Sequence, residues 1–117
     1  MGMGLESLKA WSRSKDLARA AYSATMGSRL GRHYGLSDQI RRAAMSVPAN
    51  LAEGYALGTR RQLLKYLRIS LASARELMVH VEFARDMGLI DVPVFQSIAS
   101  TGNETINLLV GLLRKLS

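Results

Sequence analysis

From Gly35 to Gly54 the chain reads Gly-Leu-Ser-Asp-Gln-Ile-Arg-Arg-Ala-Ala-Met-Ser-Val-Pro-Ala-Asn-Leu-Ala-Glu-Gly. On a helical wheel, Leu36, Ile40, Ala43, Ala44, Val47, Leu51 and Gly54 fall within about 60° of one another, the core-facing stripe of an amphipathic helix. Gln39, Ser46, Asn50 and Glu53 follow one flank as a polar stripe. Met45, Pro48, Ala49 and Ala52 follow the other, where a solvated flank would normally carry charge. This small, mostly apolar strip reads as a surface for close approach by another helix, within the chain or from a second subunit. Asparagine is a poor mid-helix residue because its amide competes for the backbone. Asn50 therefore reads as a buried amide that fixes register across a helix or subunit boundary. Pro48 has no N–H and leaves the Ala44 carbonyl without its helical donor. Because the apolar phase runs unbroken through Val47, Leu51 and Gly54, one helix from Leu36 to about Tyr55, kinked at Pro48, is favoured over two helices meeting there.

Working outward, a first helix is expected from Glu6 or Ser7 to about Thr25, with Leu8, Trp11, Ala18 and Tyr22 on one face and Leu17, Ala21 and Ala24 beside it. Lys9, Arg13 and Arg19 point the other way and together make a positive surface. Met26 to Tyr34 is the longest loop, broken by Gly27 and Gly31 and made basic by Arg29, Arg32 and His33. Ser37 or Asp38 suits the cap of the second helix. Gly58 reads as a helix terminator and Thr59 as the next N-cap. The third helix then runs from Arg60 to about Met87, with Leu63, Leu67, Ser70, Ala74, Leu77, Met78 and Val81 as its core face. Asp91 and Pro93 start a fourth helix that continues to about Leu116. Its main face is Phe95, Ile98, Gly102, Ile106, Leu109, Leu113 and Leu116. Leu108, Val110 and Leu112 fall outside that face, so Leu108 and Leu112 read as a subunit interface. Four helices with short later connections give an all-α, up-and-down four-helix bundle, one domain over residues 1–117.

The 117 residues hold 16 Lys plus Arg against 9 Asp plus Glu, a formal net charge of +7, and no cysteine. That excludes disulfides and thiolate metal sites. No basic start followed by an apolar run opens the chain, and no apolar stretch is long enough for a membrane span, so a cytoplasmic protein with no membrane association is expected. The positive balance favours a polyanionic partner. It is organised on the third helix, where Arg61, Lys65, Arg68 and Arg75 line up within about 80° on the face opposite the core. Cations near a helix N-terminus oppose the dipole, yet this outer face begins basic and ends acidic, with Glu82 and Asp86. A local stability argument does not account for that order; a bound partner would, and the alternative is a solvated charged face whose pattern is accidental.

Bundles that hold di-iron sites need paired Glu-x-x-His elements and two further inward glutamates; the two histidines, His33 and His80, do not supply them, and Glu76 with His80 reads as a surface pair. No phosphate loop, dinucleotide fingerprint or nucleophile beside a base is present. A non-enzymatic protein without metal or cofactor is expected.

Beyond the residue physics, Tyr34-Gly35-Leu36, Gln39-Ile40-Arg41-Arg42-Ala43-Ala44 and Ser46-Val47-Pro48-Ala49-Asn50-Leu51-Ala52-Glu53-Gly54 resemble the signature of the bacterial 23S rRNA intervening-sequence protein family. The likeness extends to Trp11, Leu17 and Tyr22 and to Leu71-Ala72-Ser73 with Glu76-Leu77. Leu51 stands where that family usually has isoleucine, and the loop from Met26 to His33 lacks its Phe-Pro and acidic residue. The resemblance implies a four-helix bundle that forms ring-like homopentamers. It also implies RNA in preference to DNA, and a protein partner such as a reverse transcriptase, because a related group serves as the accessory variability determinant of diversity-generating retroelements. The expected function is a homo-oligomeric bundle that presents a basic surface, Arg41, Arg42, Arg61, Lys65, Arg68 and Arg75, to nucleic acid. The interface residues are Gln39, Ser46, Pro48, Asn50, Glu53, Leu108 and Leu112. The alternative is a protein-protein adaptor whose charge serves only solubility.

Overall fold

The computed structural model describes residues 3–27 and 29–117; Ser28 of the expected loop lies outside them. Four helices follow in order, α1 (Leu5–Ala24), α2 (Tyr34–Leu57), α3 (Arg60–Asp86) and α4 (Val92–Leu116), with a 3₁₀ turn at Leu30–Arg32 before α2. Each helix packs on its neighbours in sequence, and α4 closes the bundle against α1. The body is 43 × 22 × 17 Å, its long dimension set by helices that rise about 1.5 Å per residue.

The junctions follow local chemistry. Gly58 closes α2 at φ 81°, a left-handed conformation that costs a residue without Cβ little. The hydroxyl of Thr59 then accepts from the Gln62 amide at 3.2 Å and caps α3. α2 starts earlier than the Ser37 or Asp38 cap implies. His33 precedes its first residue, and Ser37 is buried, donating to the Leu30 carbonyl at 2.7 Å so that it ties the 3₁₀ turn to the helix. α2 runs through Pro48 as one uninterrupted helix, which decides against two helices meeting there; the kink itself stays an expectation.

The core is built from Ala10, Leu17, Ala21, Ile40, Ala44, Val47, Leu51, Leu63, Leu67, Ala74, Leu77, Val81, Ile98 and Leu109, all essentially inaccessible to solvent. Small residues draw α2 and α3 together. A methyl group on Gly54 would sit 3.1 Å from the Tyr66 Cβ and 3.4 Å from the Leu63 Cα, so the two helices approach closely enough there that a side chain would have to push its neighbours aside. Nearby, the buried Ser70 hydroxyl donates to the Val47 carbonyl at 2.7 Å, an interhelical peg beside the proline.

Two expectations about packing are corrected. Leu8 is half exposed, because α1 faces the core with Ser7, Ala10, Ser14, Leu17, Ala18 and Ala21 and its large residues lie to one side. Leu112 is buried rather than available to a second subunit. It lies at the end of the bundle where Ser7 of α1, Tyr55 of α2 and Leu63 of α3 converge, so α4 needs a broader apolar surface than one stripe. Leu108 is half-buried and packs on the same core.

Candidate nucleic-acid interface

The five arginines and one lysine expected to meet nucleic acid divide into two groups. Arg41 is half-buried at the top of α2. Its Nε donates to the Thr25 hydroxyl at 2.7 Å, and its guanidinium lies 4.7 Å from the centre of the Tyr22 ring. Thr25 in turn donates to the Tyr22 carbonyl at 2.6 Å, so Arg41 clamps α2 to the end of α1. Arg42 pairs with Asp38 one turn earlier, at 2.9 Å. Both are withdrawn from the candidate surface as free cations. The other four, Arg61, Lys65, Arg68 and Arg75, are exposed on α3, and none has an ion-pair partner among the described residues. Lys65 alone has a local contact, its ammonium 5.4 Å from the ring of Tyr66.

Elsewhere part of the positive charge is matched by acids. Arg13 reaches Asp16 at 2.6 Å and Glu104 of α4 at 3.1 Å, while Arg19 holds the other oxygen of Asp16 at 2.9 Å. The hydrogen bond from Arg19 is the largest influence on the Asp16 carboxyl; burial opposes it, and with the further hydrogen bond from Arg13 the carboxyl stays below its usual range. The expected positive face of α1 is therefore mostly an ion-pair network. The basic loop is also committed in part. Arg29 donates to the Gly88 carbonyl at 2.8 Å and pairs with Asp91, tying the α1–α2 connection to the α3–α4 turn, with Leu30 buried beneath. Arg32 and His33 remain exposed. His80 meets Glu76 at 3.4 Å, as their four-residue spacing implies.

The polar stripe of α2 lies against α3 in part. Asn50 is half-buried and donates within its own helix, to the Ser46 carbonyl and hydroxyl, both at 2.8 Å. The bond that crosses to α3 belongs to Ser46, whose hydroxyl lies 2.7 Å from that of Ser73. Asn50 thus holds Ser46 in place, and the register role read for its amide falls to the serine pair. Gln39 and Glu53 are exposed, Ala52 is half-buried, and Pro48 is buried at the floor of a groove between α1 and α2.

The model of the family described as 23S rRNA-intervening sequence protein matches residues 6–111, nearly the whole bundle. The chain belongs to that family. A crystal structure of a protein of unknown function from the S23 ribosomal protein family of Bacteroides thetaiotaomicron has the same fold, with a TM-score of 0.86 and 22% sequence identity over 94% of this chain and 99% of that one. No functionally curated protein matches. The matched span covers α2 and α3 entirely and most of α1 and α4.

The structure also shows what the sequence reading passed over. Val79, Phe83 and Met87 are more than half exposed at 62%, 55% and 60%, and they continue the outer face of α3 beyond the basic row. Their four-residue spacing, out of phase with core residues Leu77, Val81 and Ala84, was the available signal. Among the described residues no helix is long and apolar enough to cross a membrane.

Proposed function

We propose that this protein is a non-enzymatic, homo-oligomeric helical bundle that binds RNA through the outer face of α3. The observation that carries the reading is the row Arg61, Lys65, Arg68 and Arg75, exposed and without ion-pair partners in a molecule whose two α1 arginines are both paired. Arg61, in the first turn of α3, opposes the helix dipole, so folding alone does not favour it there; a phosphate would. Successive members of the row are one or two turns apart, a spacing that suits the backbone of a nucleic acid. The name of the family points to RNA over DNA. Assembly into a ring would repeat the row around the particle, so that individually modest phosphate contacts add.

Binding of nuclease-treated protein to a structured RNA and to duplex DNA of similar length, across a salt series, tests the reading. Micromolar or tighter association with the RNA that weakens steeply with salt is expected. No binding near physiological salt to either polymer would overturn it. The exposed Val79, Phe83 and Met87 favour a second reading, a protein-protein adaptor, whose partner binding would be indifferent to the α3 cations.

A further inference from the structure

On the outer side of α3 two chemistries follow each other along one line. At about 3.6 residues per turn, Val79 lies five whole turns beyond Arg61 and Phe83 five beyond Lys65, so the exposed apolar residues share a strip of the helix with the free cations. The helix is unbroken from Arg60 to Asp86. Arg61 to Arg75 spans about 21 Å of the strip, and Val79 and Phe83 follow within about 12 Å of Arg75. The second part offers a phosphate nothing. Its basic residues are committed, since Arg85 pairs with Asp86 and lies 4.1 Å from the centre of the Phe95 ring, and His80 meets Glu76. Glu82 has no cation in range among the described residues and repels an anion. What this part does offer is an aromatic face. Tyr34 and Phe83 are the exposed aromatic side chains among the described residues, and only Phe83 shares a helix face with unpaired cations.

We infer that the ligand of this face is RNA with an unpaired segment, its backbone held along Arg61 to Arg75 and a base stacked on Phe83 beside Val79. The inference rests on the RNA reading proposed above and names the kind of RNA. A duplex keeps the faces of its bases against one another, so it can use the cations but leaves the apolar turns in water. A strand that leaves the duplex exposes those faces, and an aromatic ring accepts any of them because every base has one. The order of chemistries on α3 matches that ligand, with unpaired cations where the backbone lies and an uncharged ring where only a base gains. It does not match a membrane surface, which requires apolar and charged residues on opposite faces of one helix. On α3 they succeed each other along a single face.

Three RNAs with the same number of phosphates test the inference: a blunt duplex, and a shorter duplex in which one strand runs on unpaired at its 5′ end or at its 3′ end. Fluorescence anisotropy across a salt series reads the affinities. The wild type should hold at least one extended RNA about 5-fold or more tighter than the blunt one, the lower end of what a single stacked base is worth. Phe83→Ala should reduce the extended RNA to the affinity of the blunt one. Its plot of log affinity against log salt should run parallel to that of the wild type, because stacking releases no counterions, whereas Arg68→Gln should lower the slope by roughly 0.7–0.9. Phe83→Leu should behave as the alanine variant and Phe83→Trp as the wild type, which separates a ring from apolar area alone. Circular dichroism confirms that each variant keeps its helical content. Equal wild-type affinity for all three RNAs, or a preference that survives Phe83→Ala or Phe83→Leu, would overturn the inference, leave the RNA reading standing and assign the apolar turns to a protein partner. Failure of every RNA to bind would remove the RNA reading and the inference together.

Discussion

On α1, Arg13 and Arg19 converge on Asp16 and Arg13 also reaches Glu104, so that cations spaced along the outside of a helix become a bridge between α1 and α4. On α3, Arg61, Lys65, Arg68 and Arg75 occupy an equivalent outer face without an acid in range among the described residues. In sequence Asp16 already stands three residues from each α1 arginine, whereas no acid stands three or four residues from any cation of the α3 row. The difference between the two sets lies in the acids within reach, one local to α1 and one from a helix ninety residues away, and it separates charge used within the bundle from charge left for a partner. The same distinction removes Arg41 and Arg42 from the candidate interface. One is held by Thr25 and Tyr22 and the other by Asp38.

The strongest test of that contrast exchanges the two rows. With Arg61, Lys65 and Arg68 all changed to Gln, the slope of log affinity against log salt for RNA should fall by about 2–3, since each phosphate contact contributes roughly 0.7–0.9. Arg13 and Arg19 changed to Gln should alter the slope by less than about 1, because their charge is already met within the protein. Filter binding or fluorescence anisotropy over a salt series reads both. Equal slopes for the two variants would erase the distinction between the helices.

A second test sets stability against binding on a single residue. Arg61 lies in the first turn of α3, two residues after the Thr59 cap, where the dipole disfavours a cation. Arg61→Glu should raise stability by about 0.3–1 kcal/mol, a rise of roughly 1–5 °C in Tm for a domain of this size, while weakening RNA binding. Arg68→Glu, two turns further in, should weaken binding without the gain, because the dipole effect fades within the first turn. A loss of stability in Arg61→Glu would mean that the residue has a structural contact that the contrast denies it.

The sequence revealed the inner faces better than the outer ones, for a physical reason. Core stripes repeat with the helix, so Ile40, Val47 and Leu51 on α2 and Leu63, Leu67, Ala74 and Leu77 on α3 are visible as periodicity, and Gly58 with Thr59 marks a boundary through local backbone chemistry. What α1 turns inward is mostly Ser and Ala, which carry little hydropathy signal, and so Leu8 was placed on the core face in their stead. Leu112 was misread because periodicity follows one face, whereas the end of α4 is enclosed by three helices. The pairings of Arg29 with Asp91 and of Arg13 with Glu104 join residues far apart in the chain, and spacing rules reach only one turn. The α3 row was legible as a row; that it is unpaired was not, because absence of a partner is a property of the assembled surface.

The mildest test concerns the paired set itself. The hydrogen bonds of Arg19 and Arg13 hold the Asp16 carboxyl below its ordinary range, so the folded protein binds this proton less readily than the unfolded chain does. The resulting stabilisation is fully present above the unfolded carboxylate's ordinary value and is lost as pH falls through the lower folded one. Neutral pH lies within the stabilised range, and the loss is confined to acid conditions. Asp16 and both arginines are more than one-third exposed at their side chains, at 38%, 39% and 70%, which limits the network to the worth of a surface ion pair, roughly 0.2–1 kcal/mol. Asp16→Asn should therefore lower stability by that order at pH 7, with the gap to the wild type narrowing as the pH is taken below the carboxylate range, read by urea melts at each pH. Salt should shrink the same gap, because these charges are screened by water already. A gap that persists unchanged in acid and in salt would show that Asp16 acts through packing rather than charge, and the paired character assigned to α1 would fail with it.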